Sequence, residues 1–210
     1  MASAHPTPGL RERKKQRTRE LIAETARRLF IERGFEHVSV AEIARVAEVS
    51  EKTVFNYFPT KEDLVYWRLE SFEDELLAAI RDRVAGESVL DAFGRFVTRP
   101  RGLLAADDPT VIERLAGLTR MITDSPALLA RERQVFDRYT STLAAAIAEE
   151  QGVAPDDVEP WVMANALMGV HRGLVDYSRR RILAGARNPE LGEEMQAQAR
   201  RALAALRRGL

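Results

Sequence analysis

A chain of 210 residues is long enough for one large domain or two small ones, and 45% apolar against 30% charged residues is the balance of an ordinary globular protein. Cysteine is absent, which excludes disulfides, thiolate nucleophiles and thiolate metal sites. The 32 basic and 32 acidic residues cancel, so any affinity for a polyanion has to come from how the charges are distributed.

Ala, Leu, Arg and Glu dominate, and β-branched residues rarely cluster, so an all-α fold is expected. The opening segment has no apolar leader pattern, and no uninterrupted apolar run reaches membrane-spanning length. A cytoplasmic protein is the expectation. Residues 1–9, with His5, Pro6, Pro8 and Gly9 and no periodicity, read as a disordered tail. Between Arg11 and Arg19 the basic residues Arg11, Arg13, Lys14, Lys15, Arg17 and Arg19 face the single acid Glu12.

A first helix is predicted from the Leu10–Thr18 region to Gly34, with Leu21, Ile22, Thr25, Ala26, Leu29 and Phe30 as its buried stripe. Ser39 with Glu42 three residues on forms a capping box, so a second helix starts at Val40 and runs to about Ala47. Ser50 caps a third helix over Glu51–Tyr57, which Pro59 closes. Thr60 then caps a helix over 61–83. Longer amphipathic helices follow at about 87–98, 109–122, 126–151, 155–184 and 189–208. Gly86, Pro100–Asp108, Ser125-Pro126, Gly152–Pro155 and Gly185–Pro189 separate them. These elements divide the chain into a DNA-binding domain at 10–60 and a helical effector-binding and dimerisation domain at 61–210.

Two short helices joined by a tight turn match the DNA-binding helix-turn-helix, although such hairpins also occur in proteins that never touch DNA. The residues go further. The stretch SVAEIARVAEVSEKTVFNYFPTKEDLV (39–65) resembles the TetR family of bacterial regulators through Ser39, Ala44, Val49-Ser50, Thr53, Phe55, Tyr57, Phe58, Lys61 and Leu64. Glu48 departs from the pattern, because many members place Gly in that turn. A positive φ there would cost about 1 kcal/mol.

The resemblance implies that the third helix enters the major groove with Ser50, Glu51, Lys52, Phe55 and Asn56 toward base edges. Lysine can donate to guanine, asparagine can pair with adenine, and an aromatic face can cover a thymine methyl. Glu51 can accept from cytosine or simply cap its helix. Ser39, Thr53, Tyr57 and Lys61 are implied phosphate contacts, with Phe58 left to packing. The basic segment around Arg17 is then placed to follow the DNA backbone or enter the minor groove.

Residues 66–210 carry no catalytic or metal signature. His5, His37 and His171 are scattered, no nucleotide-binding glycine pattern occurs, and Asp107-Asp108 read as solvated loop residues. No enzyme activity and no cofactor are expected. The family likeness implies a small-molecule pocket among the C-terminal helices, and Trp67, Phe93, Phe96, Met121, Phe136, Tyr139, Asn165, Met168 and His171 are its candidate lining, although large apolar side chains such as these and Leu103 ordinarily pack a core. The 155–184 helix is apolar around most of its circumference. The last helix carries Leu191, Met195, Ala199, Ala202 and Leu206 at near-heptad spacing. These two helices are the expected homodimer interface. A ligand-responsive repressor on a pseudo-palindromic DNA operator is the leading expectation. The alternative is a regulator without a small-molecule effector, whose C-terminal domain serves dimerisation or protein docking.

Overall fold

The computed structural model describes residues 9–67, 69–99, 109–187 and 189–209. Among them the chain forms ten α-helices and no strands: α1 (Leu10–Arg33), α2 (Val40–Val46), α3 (Glu51–Tyr57), α4 (Asp63–Tyr66), α5 (Leu69–Arg81), α6 (Val89–Val97), α7 (Pro109–Asp124), α8 (Pro126–Gln151), α9 (Val158–Leu183) and α10 (Glu190–Arg207). The expected tail at 1–8 and the expected loop at Pro100–Asp108, with Leu103 and Asp107-Asp108, lie outside the described residues.

Contacts divide the chain into two compact units, Met1–Arg68 and Leu69–Leu210. The division falls later than residue 60 because α4 packs on α1. Where a single helix is expected over 61–83, the described residues form α4 in the first unit and α5, which packs on α6 and α8, in the second.

In the first unit α1 buries Ile22, Ala23, Thr25, Ala26, Leu29 and Phe30. Leu21, expected in that stripe, is half exposed (51%), since at 100° per residue it falls outside the arc that Ile22, Ala26 and Leu29 define. The stripe meets Ile43 and Ala44 of α2, Val54 of α3, and Phe35, Phe58 and Leu64, all buried. Ala44 and Ala47 are small, buried positions that allow α2 and α3 to cross closely.

The caps differ in one detail from expectation. Ser39 Oγ accepts from the Glu42 amide at 3.1 Å, but the Glu42 carboxylate turns to Arg33 instead of closing the box. A reciprocal pair of this kind sits instead in the turn before α4, where the Thr60 amide donates to Asp63 Oδ2 at 3.0 Å and the Asp63 amide to Thr60 Oγ1 at 3.3 Å.

The second unit is built around one core of α5, α6, α8, α9 and α10. It includes Leu76, Ile80, Phe93, Phe96, Val135, Phe136, Tyr139, Leu143, Leu167, Met168 and Leu203. Gly94 lets α10 approach α6: a Cβ there would stand 3.1 Å from a Leu203 methyl. Arg179 and Glu132, both largely buried, pair α9 with α8.

The stripe of α10 expected to face a symmetry mate is used inside the protomer. Leu191 and Ala199 are buried, Leu206 packs against the core and Met195 lines a cavity, because α10 lies on α9 and α6. On α9, by contrast, Val158, Trp161, Val162 and Leu183 are exposed within the protomer.

Candidate nucleic-acid interface and C-terminal cavity

The turn between α2 and α3 is held by hydrogen bonds of its own backbone. The Val49 amide donates to Ala44 O at 2.9 Å, and the Ala47 amide to Ile43 O at 2.9 Å. Glu48 takes φ +55°, the left-handed conformation that glycine adopts without penalty. A side chain outside the ordinary glycine pattern therefore sits in strained backbone at the centre of the motif. Ser50 Oγ accepts from the Thr53 amide at 3.0 Å and lies 2.8 Å from Thr53 Oγ1, so both hydroxyls are engaged in starting α3.

Only Val54 of α3 is buried. Glu51, Lys52, Phe55 and Asn56 are exposed, and their side chains make no hydrogen bond or ion pair among the described residues. The Phe55 ring is 48% exposed on a two-turn helix, beside the Lys52 ammonium and the Asn56 amide, both unpaired among the described residues. Tyr57 is half-buried and Ser39 exposed, its hydroxyl hydrogen left to donate. Arg45 on α2 is a further exposed cation without an ion pair among the described residues. Sequence reasoning passed over it because one arginine on a short helix carries no pattern.

Lys61 has a double environment. Its ammonium stands 4.3 Å from the Phe35 ring centroid and 5.7 Å from that of Phe30. Partial burial lowers its pKa from the ordinary lysine value, while Glu36 and Glu62 oppose that shift. Arg17 is exposed on α1, and Arg19, two residues on and half-buried, holds its guanidinium 5.5 Å over the Phe58 ring.

In the second unit the candidate pocket residues separate. Phe93, Phe96, Phe136, Tyr139 and Met168 are buried together in the core, and Met121 is buried on α7. Trp67 belongs to the first unit. Asn165 is exposed on α9 and its side chain donates to Trp161 O at 2.8 Å.

His171 alone of these borders a cavity of about 190 Å³, together with Phe72, Val97, Leu174, Val175 and Met195 and the polar Thr98, Arg99, Ser178 and Gln196. His171 stacks on Phe72 with ring centroids 4.4 Å apart. Ser178 and Thr98 donate their hydroxyl hydrogens to backbone carbonyls, Val175 O and Gly94 O, each at 2.8 Å. They therefore offer the cavity oxygen lone pairs. Among the described residues no group of carboxylates and histidines is arranged to hold a metal ion, and no helix is long and apolar enough to cross a membrane.

Two short capped helices with an unpartnered outer face, joined to a separate helical unit, define a helix-turn-helix DNA-binding regulator. Residues 22–66 match the family of bacterial regulatory proteins of the TetR type, and residues 87–210 match the MftR C-terminal domain. The chain belongs to the TetR family of transcription regulators. It is 34% identical over 156 residues to the transcriptional regulator TcmR of Streptomyces glaucescens, covering 71% of this chain and 67% of the relative. It is 26% identical over 166 residues to MftR of Mycobacterium tuberculosis, a protein named for transcriptional regulation of mycofactocin biosynthesis, covering 75% of this chain and 78% of that one. The fold matches that of a solved TetR-family protein from Syntrophomonas wolfei with a TM-score of 0.56 at 21% identity, over 90% of this chain and 96% of the other.

Proposed function

We propose that this regulator is a homodimeric repressor that binds a pseudo-palindromic operator and is released by a small-molecule effector. The observation that carries the reading is the outer face of α3, where Lys52, Phe55 and Asn56 stand exposed and unpaired. In the major groove Lys52 donates to guanine, Asn56 pairs with adenine and Phe55 covers a thymine methyl, with Ser50 and Glu51 at the entry of the helix. Ser39, Thr53, Tyr57 and Lys61 hold phosphates and set the register. Double-stranded DNA is the substrate of this surface, and no catalytic step is part of the role.

The exposed apolar face of α9 supports the dimer. Val158, Trp161 and Val162 are uncovered, and a Cβ built at Gly169 or Gly173 meets nothing within 4 Å, so a second helix can approach closely there. The last two helices thus remain the proposed interface, with α9 supplying the apolar contact and α10 flanking it. The cavity beside His171 supports an effector site, and a coupling of about 1–3 kcal/mol between that site and the DNA suffices for a useful switch. A second reading, regulation without a small molecule, draws on the filling of the core by Phe93, Phe96, Phe136, Tyr139 and Met168.

The dimer and its DNA are tested together by light scattering and by gel shift on the duplex upstream of the protein's own gene. Wild-type protein is expected to run as a dimer and to shift that duplex. Gly169→Leu, at an exposed position where an added Cβ meets nothing within 4 Å in its own protomer, is expected to fold as a monomer and to lose most of the shift. A dimeric Gly169→Leu protein would contradict the α9 interface, and a wild-type protein that shifts no upstream duplex would contradict the autoregulated repressor.

A further inference from the structure

The first turns of α1 are a charged surface that the helix-turn-helix does not use. From Leu10 to Arg17 every residue is exposed, and Arg11, Arg13, Lys14, Lys15 and Arg17 make no ion pair or hydrogen bond with their side chains among the described residues. The pattern changes where the helix starts to pack. From Glu20 onward acids accompany the bases, as in Glu24 with Arg27 and Arg28 with Glu32.

The exposed turns are electrostatically unfavourable as they stand. Arg11 with Lys15, Arg13 with Arg17, and Lys15 with Arg19 are like-charge pairs one helical turn apart. They lie at the helix end where the macrodipole disfavours positive charge, and Gly9 provides no side-chain cap. A partner rich in negative charge removes each of these penalties at once.

The position of this segment is set by Arg19, which lies over Phe58, the residue that ends α3. Arg11 and Lys15 share the stripe of Arg19, so they occupy the side of α1 that faces the end of α3. At 1.5 Å per residue the helix continues about 13 Å beyond Arg19, further than the roughly 8 Å over which charges act at physiological salt. Its far charges therefore act on phosphates of their own. A helix about 10 Å wide does not fit a minor groove of about 6 Å, which leaves the phosphate backbone as the target.

We propose that Arg11, Arg13, Lys14, Lys15 and Arg17 form a helical arm that binds backbone phosphates of duplex DNA outside the segment read by α3. The inference rests on the helix-turn-helix reading. The arm adds affinity and salt dependence, and it carries no sequence preference.

The test uses the full-length protein and a duplex enriched by it from random sequence, prepared both trimmed to the enriched bases and with about ten extra base pairs on each side. One variant replaces all five arm cations by Gln and a second replaces Arg11, Arg13 and Arg17 by Lys. The Gln variant is expected to bind the long duplex about tenfold or more weakly at 0.1 M salt. Its slope of log affinity against log salt should be shallower by about 2 or more, as for at least one lost phosphate contact per arm in a dimer. Wild-type protein should prefer the long duplex, the Gln variant should not, and the Lys variant should behave as wild type. An unchanged slope with no effect of flank length overturns the arm. Failure to enrich any duplex, or an Asn56→Ala protein that binds the enriched duplex as wild type does, overturns the helix-turn-helix reading instead.

Discussion

The two units of this protein present their large side chains in opposite ways. In the first unit the residues proposed to meet DNA stand outward from a small core, with Phe55 48% exposed while Phe58, three residues on, is 1% exposed. In the second unit the aromatic side chains turn inward, so that Phe93 and Tyr139, candidates for a ligand pocket, are 0% and 1% exposed. A surface that meets a partner of fixed shape carries its chemistry on view. A pocket for a small molecule is made from the same residue types as the core beside it, and only the packing separates them.

That comparison can be broken by substitution. If Phe93 is core, Phe93→Ala removes about 3–5 kcal/mol of stability, read from denaturant unfolding. A loss below about 1 kcal/mol would mean that its ring borders open space. The first unit offers a smaller effect of opposite sign. Glu48 holds φ +55° without the freedom of glycine, so Glu48→Gly should stabilise the protein by about 1 kcal/mol, less the added flexibility of the unfolded chain. A destabilised variant would show that the Glu48 side chain has a favourable role that outweighs its backbone strain.

Much of the first unit was legible in the sequence because its signals are local. Ser39 and Ser50 each mark a helix start by hydrogen bonds within three residues, and α2 and α3 begin where those caps place them, whereas α4 begins only at Asp63, the residue that Thr60 bonds. The strained turn was legible at Glu48 as a departure from a pattern of glycine. What local signals did not reveal was partner choice. Glu42 bonds Arg33 rather than closing its box, and Lys61 rests over Phe35 and Phe30, contacts set by tertiary packing.

In the second unit the helices were legible from periodicity and the assignment of their faces was not. The apolar stripe of α10 fits a symmetry mate as well as it fits α9 and α6, and hydrophobic spacing alone does not distinguish the two. Asn165 and His171, six residues apart on α9, differ in the same way. One is exposed and bonded to Trp161 O, and the other is stacked on Phe72 beside the cavity.

The central claim is that α3 reads DNA sequence. The most direct measurement is enrichment of duplexes from random sequence by wild-type protein and by Asn56→Ala. The account predicts that wild type enriches two half-sites related by a two-fold axis, with centres about 34 Å apart or somewhat more. Asn56→Ala should lose its preference at one base pair of each half-site, at a cost of about 1–3 kcal/mol there, and keep its melting temperature. Enrichment of the same sequences with the same preferences by both proteins would contradict it.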